Sequence, residues 1–346
     1  MNKQLFKWVI ISGFLISRSV ASGLEPANPE ANAKARTILN YFVGLGTQKD
    51  KRLISGQFTD FGNGAGLRLF QEIHDKTGKW PALMGVDYAD FSKRGLTYAA
   101  PNRAAIEYWK QGGLITVSAH LYNPANTNGG GLRDQGVELK TLLEAGTETH
   151  DRWLKELDIL AAGLQELKAV NAVVLWRPFH EMNGAWFWWG AKEPDSFIKV
   201  WQHMFHYFSE TKHLDNLLWV YSPNHGNKTT DYYPGDRYVD LVGLDAYTDF
   251  IDTNHIKGYA EVARLGKPFG FTEFGPHGSR NPPGDYDYLR FLQGITNDFP
   301  QTVFFMSWNG KWSLARNQNT KELLAQTLII NRDALPPGLV NSSESK

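Results

Sequence analysis

Two glutamates in this sequence stand where a carboxylate can react. Glu181 closes the stretch Trp176-Arg177-Pro178-Phe179-His180-Glu181, and Glu273 lies within Phe271-Thr272-Glu273-Phe274-Gly275. Each directly follows an apolar run and has aromatic neighbours. A carboxyl group among apolar groups has a raised pKa unless it is paired. Two of them facing across a cleft can divide acid/base and nucleophilic work on a glycosidic bond, and a retaining reaction needs them roughly 5 to 5.5 Å apart. One such glutamate alone would read equally well as a structural ion pair. Two in matching contexts point to reaction.

Other chemistries fit less well. His180-Glu181 opens like the zinc-protease motif, but Gly184 stands where the second histidine belongs. His120, His180 and Glu181 could in principle converge on a metal, yet their spacing does not require one, so neither metal nor cofactor is expected. Ser118 and Ser222 lack the context of a nucleophile elbow. Cysteine is absent, which removes disulfides, thiolate sites and cysteine nucleophiles. The formal net charge is zero, so the chain carries no electrostatic footprint for nucleic acid or acidic lipid. Aromatic content is high, with 12 Trp, 14 Tyr and 20 Phe. Composition alone assigns most of these rings to the core; some could be flat platforms for sugar rings.

The elements that must position the glutamates are short apolar, β-branched and aromatic runs at 53–58, 81–91, 114–122, 172–179, 217–221, 241–247, 268–274 and 302–308. Most gaps between them are helical. The clearest spans 152–168, with Trp153, Leu157, Leu160, Leu164 and Leu167 at helical spacing. Another, 197–208, is entered through Glu193-Pro194-Asp195-Ser196. Strands alternating with helices predict a parallel sheet, and eight of them predict closure. The expected class is α/β, a (β/α)8 TIM barrel in a single domain. An open doubly wound sheet is disfavoured, because the glycines at 62–66 lack the dinucleotide-binding spacing. In a barrel the reactive groups lie at the C-terminal ends of strands. Glu181 follows the fourth run directly and Glu273 sits at the end of the seventh, so they should meet across the mouth.

Residues 1–21 read as a secretory signal peptide. Lys3 and Lys7 precede an apolar run that is too short to span a bilayer, and Ser19-Val20-Ala21 offers a small-residue cleavage site. Export to a secreted, extracellular location is the expectation, with no membrane span. The catalytic domain is placed at 22–335, and 336–346 is read from composition as a disordered tail. Nothing calls for an oligomer, so a monomer is expected.

The stretch 176–190, reading WRPFHEMNGAWFWWG, closely resembles the strand-four signature of glycoside hydrolase family 26, most of whose members are β-mannanases. Phe271-Thr272-Glu273-Phe274-Gly275 and Gly243-Leu244-Asp245-Ala246-Tyr247 fit the same family. The resemblance implies that Glu181 is the acid/base and Glu273 the nucleophile. It further implies that His180 and His120 contact the reacting sugar, that Trp186 lies beside the cleavage point, that Tyr247 steers the nucleophile, and that Trp308 floors the subsite. Asp245 is expected to order the site by pairing with Arg177. Trp188 and Trp189 suit either sugar platforms or loop packing, and Trp189 is counted with the substrate-binding set.

The implied activity is endo-β-1,4-mannanase: double displacement on internal bonds of mannan, glucomannan or galactomannan, with β-mannan polysaccharide or manno-oligosaccharides as partner. A mixed-linkage β-glucanase or β-xylanase of the same family, a transglycosylase and a non-catalytic polysaccharide-binding barrel remain alternatives. The loops at 61–66 and 122–134, which frame the cleft, are not explained by the resemblance.

Overall fold

The computed structural model describes residues 24–126, 131–277 and 283–340. The eight apolar runs form β1 (Gly56–Phe61), β2 (Leu83–Asp87), β3 (Leu114–Ser118), β4 (Val174–Arg177), β5 (Leu217–Tyr221), β6 (Leu241–Tyr247), β7 (Phe269–Gly275) and β8 (Thr302–Ser307). Neighbours pair in parallel from β1 through β8. The register Ser307↔Gln57 returns β8 to β1 and closes the barrel. The strands are buried on both faces, so they read as continuous apolar runs rather than alternating ones. The first run is interrupted: Leu53–Ile54 pairs with β8 separately, and Ser55 turns its backbone N–H and its hydroxyl to the Ile330 carbonyl.

Helix α1 (Ala33–Thr47) precedes the barrel. α2 (Arg68–Thr77), α3 (Ala99–Lys110), α4 (Glu148–Ala169) and α5 (Pro194–His206) follow β1 to β4, and α6 (Tyr259–Ala263), α7 (Tyr288–Asp298) and α8 (Thr320–Leu324) follow β6 to β8. Between β5 and β6 only a 3₁₀ turn at Asp236–Tyr238 forms. α4 buries Trp153, Leu157, Leu160, Leu164 and Leu167, the stripe read from spacing. Its start is capped by Thr147, whose hydroxyl accepts from the His150 N–H, with Glu148 and Asp151 in the first turn against the helix dipole. α5 begins at Pro194, behind a Glu193 carboxylate that accepts from the Asp195 and Ser196 N–H groups.

Two expectations about the chain ends meet the structure differently. Residues 1–21, read as an export signal, lie outside the described residues, and so do 341–346. Of residues 336–340, read as the start of a disordered tail, 336–338 are exposed but Leu339 and Val340 are buried in the main core. Two apolar side chains were enough to dock a stretch whose composition looked unfolded. Among the described residues, no helix is long and apolar enough to cross a membrane.

Candidate active site

The site lies at the C-terminal mouth of the barrel. Below it, Phe58, Met306 and Trp308 form a small cluster distinct from the main core, with Phe61, Tyr247 and Trp312 packed on it. Trp308 stacks flat on Phe58, centroids 3.9 Å apart at 5°. One face of the indole is thereby covered, and Trp308 is also part of the lining of a cleft of about 610 Å³. Phe61, His120, His180, Glu181, Tyr247 and Glu273 line the same cleft.

Glu181 is presented by an unusual backbone. Phe179 and Glu181 both have positive φ, 50° and 57°. Left-handed backbone at non-glycine residues costs about 1 kcal/mol or more each and persists only where the surroundings enforce it. Here the Glu181 N–H donates to the Ser222 carbonyl at 2.7 Å, and the Gly184 N–H donates to the Glu181 carbonyl at 2.9 Å. Further along the loop, a Cβ on Gly190 would collide with the Gly184 carbonyl oxygen. The Glu181 carboxylate accepts from Trp186 Nε1 at 2.5 Å and from Asn224 Nδ2 at 3.5 Å.

Glu273 is held by a different set of donors. Arg177 Nη2 donates to its Oε1, and Tyr247 Oη donates to its Oε2 at 2.7 Å. The same guanidinium donates through Nη1 to Asp245 Oδ2 at 3.0 Å. Asp245 also accepts from Ser222 Oγ at 2.8 Å and Thr272 Oγ1 at 2.6 Å. One oxygen each from Glu181, Asp245 and Glu273 lies within 4.8 Å of the others. Oxygens this close could take a divalent cation; the positive charge between Asp245 and Glu273 is already the Arg177 guanidinium.

These surroundings separate the two glutamates. Burial, then the charges of Asp245 and Glu273, push the Glu181 carboxyl well above the usual carboxylate range. Burial and Asp245 also raise Glu273, to about 7, against the pull of Arg177, His120 and Tyr247. Both shifts are upward, but the cation and the phenol serve Glu273. The first proton to leave the pair therefore leaves Glu273, and Glu181 keeps its own. Tyr247 is pushed well above its ordinary value by burial and by the Glu273 charge, so it remains a donor.

Beside the carboxylates two histidines face each other, His180 Nε2 lying 3.0 Å from His120 Nε2. His180 Nε2 is 4.0 Å from Glu273 Oε1. Burial, with His120 and Arg177 nearby, holds His180 well below the ordinary histidine range, so its ring is neutral. His120 Nδ1 meets Asp87 Oδ2 at 2.8 Å.

Two carboxylates this close, one armed with a guanidinium and a phenol and the other with an indole, suit acid/base and nucleophilic work on a glycosidic bond. The profile of glycosyl hydrolase family 26 matches residues 27–334. The chain belongs to glycosyl hydrolase family 26. It is 35% identical over 348 residues to a mannan endo-1,4-beta-mannosidase of Bacillus subtilis, covering 95% of this chain and 94% of that one. It is 34% identical over 340 residues to mannan endo-1,4-beta-mannosidase A and B of Caldalkalibacillus mannanilyticus, covering 93% of this chain but only 65% of that longer protein. A solved structure of Bacillus subtilis mannanase superposes with a TM-score of 0.83 at 34% identity, covering 92% of this chain and 98% of that one.

Within this family 26 site, one expected contact is corrected. Trp189 is fully buried, its Nε1 donates to the His180 carbonyl at 2.8 Å, and its ring stacks on Phe187. It has no face for a sugar; it props the loop carrying His180 from behind. Trp188 is likewise buried, donating to the Leu121 carbonyl. Trp186, His120, His180, Tyr247 and Trp308 do line the cleft, and Arg177 and Asp245 pair beneath it. The two unexplained loops contribute Phe61 and Arg133. Sequence reasoning missed Asp87, Asn224 and Trp312. Asp87 could have been found, because it ends β2 just as Glu181 follows β4. Nothing local marks Asn224 or Trp312.

Proposed function

We propose that this protein is an endo-β-1,4-mannanase that retains anomeric configuration, with Glu273 as nucleophile and Glu181 as acid/base. The observation that carries the mechanism is the spacing: one oxygen of Glu181 lies within 4.8 Å of one of Glu273, in keeping with the short separation of double displacement rather than the wider one of an inverting site. Glu273, ionised first, attacks the anomeric carbon while the protonated Glu181 gives its proton to the departing oxygen. Glu181, now ionised, then takes a proton from the water that hydrolyses the glycosyl-enzyme. The apolar face of Trp308 suits stacking on the reacting sugar, and Trp186 beside Glu181 suits the leaving side. The mannan assignment rests on family membership and on the activity named for the relatives above. Export of the mature chain, through removal of residues 1–21, belongs to the same reading.

Hydrolysis of linear β-1,4-mannan, mixed-linkage β-glucan and β-xylan tests the substrate. Mannan cleavage to short oligosaccharides is expected. Cleavage of glucan or xylan alone would keep the mechanism and replace the sugar; release of single sugars from chain ends would overturn the endo assignment.

The pH profile tests the role of Tyr247. A donor to the ionised form of a carboxyl lowers its pKa. A hydrogen bond to a charged group contributes about 1.5–3 kcal/mol, so Tyr247→Phe should raise the Glu273 pKa by about one unit or more. The acid limb of kcat/KM then moves to higher pH by that amount, while the alkaline limb, set by Glu181, moves little. An unmoved acid limb would count against Tyr247 as the group that keeps the nucleophile charged.

A further inference from the structure

We propose that Asp87 is a positioning residue whose carboxylate, acting through His120, sets which nitrogen of His180 carries its proton beside Glu273. The inference rests on the assignment of Glu273 as nucleophile only for its effect on rate; the proton positions stand on the geometry of the three side chains.

Asp87 ends β2 and is completely buried. Three of its four hydrogen-bond partners are donors, and the fourth is the ring nitrogen His120 Nδ1. Oδ1 accepts from the backbone N–H of Ala89 at 2.8 Å and of His120 at 3.1 Å. Oδ2 accepts from Ser118 Oγ at 2.5 Å and from His120 Nδ1 at 2.8 Å. Burial alone would raise this carboxyl, but the His120 ring, Ser118 and the Ala89 N–H more than offset it and hold Asp87 below its ordinary value. An ionised carboxylate can only accept, so His120 must carry a proton on Nδ1. Its Nε2 is then the nitrogen left to accept, and the unpartnered, buried Nδ1 of His180 favours that arrangement because it leaves no N–H without an acceptor. His180 Nε2 lies 3.0 Å from His120 Nε2 and must be the donor, because two N–H groups or two lone pairs cannot face each other at that distance. His180 is then the Nε2–H tautomer with a bare Nδ1. Its Nδ1 is buried and has no partner. A bare nitrogen there is less costly than an orphaned N–H donor. The chain of dependence runs from Asp87 through two rings and ends with the His180 N–H 4.0 Å from Glu273 Oε1.

Among the described residues no other hydrogen bond holds these rings, and the Glu273 charge favours the same N–H at His180 Nε2. The other neighbours of His120 are the rings of Phe61, Phe91, Phe187 and Trp308. His180 faces His120, Arg177 and Glu273, with Phe187 and Trp189 against its ring. Glu273 in turn faces Arg177, Tyr247, Asp245, Glu181 and the histidine pair. Asp87 makes no hydrogen bond to Arg177, Tyr247, Asp245 or Glu181, although Arg177 feels its charge.

Asp87→Asn reverses the relay by a route the contacts dictate. The two backbone N–H groups need an acceptor, so the amide oxygen stays on them and the NH₂ turns to Ser118 and His120. His120 then accepts at Nδ1, carries its proton on Nε2 and donates to His180. His180 is forced to the Nδ1–H tautomer, and the nitrogen 4.0 Å from Glu273 Oε1 changes from an N–H to an acceptor.

The test is ¹H–¹⁵N imidazole NMR of the full chain with histidine-selective labelling. The wild type is expected to show Nδ1–H at His120 and Nε2–H at His180, and Asp87→Asn to show both reversed. Ser118→Ala, which removes a donor to Asp87 without touching a ring, should keep the wild-type tautomers. On mannan, Asp87→Asn should lose about tenfold or more in kcat/KM, as misplaced tautomers and lost supporting bonds do elsewhere. Its acid limb should move to higher pH, a shift that simple loss of packing does not produce. A wild-type His120 protonated at Nε2, or an Asp87→Asn protein in which His180 keeps its proton on Nε2, would overturn the proposal. If Asp87→Asn does not fold, the wild-type tautomers alone decide it. Correct tautomers in a protein that fails to cleave mannan would leave the relay standing and remove the mannanase assignment instead.

Discussion

Glu273→Gln is expected to fold normally and to lose hydrolysis of mannan by on the order of 10⁴-fold or more, the scale seen when a covalent nucleophile is removed. The structure explains why the fold should survive. Glutamine keeps the volume of the side chain and an oxygen for Tyr247 or Arg177, and Arg177 keeps Asp245 as its buried counter-charge at 3.0 Å. What disappears is the electron pair proposed to attack the anomeric carbon. Attack is needed whatever group departs, so the loss should be equally deep on an aryl mannoside with an excellent leaving group. Rates measured on both substrates check this. Retention of more than about one per cent of wild-type kcat on either would remove Glu273 from its role.

Glu181→Ala should behave differently, and the contrast assigns the two carboxylates. On mannan the leaving sugar oxygen needs a proton, and general acid catalysis contributes about 10²–10⁴-fold, so hydrolysis should fall by that range. On the aryl mannoside the first step needs no proton. Glu273 should still be glycosylated, while the second step stalls for want of a base. A burst of aryl alcohol and a lowered KM are the expected signs. The truncation leaves Trp186 Nε1 and Asn224 Nδ2 facing a space the carboxylate filled. A small anion can enter there without any base to activate it. Azide should restore turnover and give a β-mannosyl azide. Absence of that product, with glycosylation intact, would contradict the acid/base assignment.

Much of this site could be read from the sequence because it depends on strand ends. All eight strands fall within or directly beside the eight apolar runs, since strands buried on both faces cannot hide among polar residues. Glu181 and Glu273 then follow from the barrel rule without any knowledge of contacts. What could not be read depends on which surface buries a residue. Trp186 and Trp189 stand three positions apart in one aromatic run, yet Trp186 lines the cleft and Trp189 packs behind His180. Their types are identical, and the path of the loop, held by the Trp188 N–H on the Leu132 carbonyl and the Gly190 N–H on the Phe187 carbonyl, separates them. Nothing in the sequence joins Asp87 to its partner His120, 33 residues away. Leu339 and Val340 dock although their neighbourhood is proline, glycine and serine, because composition averages over a window and docking needs only two side chains.

The charge arrangement lies between these cases. Arg177 and Asp245 were expected to pair, and they do. That Arg177 also reaches Glu273, and so decides which glutamate ionises first, required the register that sets Asp245 beside Glu273.

The double displacement proposed for Glu181 and Glu273 on mannan can be watched at the anomeric carbon itself. Proton NMR follows the anomeric signals of the sugar released from linear β-1,4-mannan in the first minutes, before mutarotation. New reducing ends are expected to appear first as the β-anomer and to drift afterwards to the equilibrium mixture. New ends appearing first as the α-anomer would mean a single inversion by water, and neither glutamate could then keep the role assigned to it.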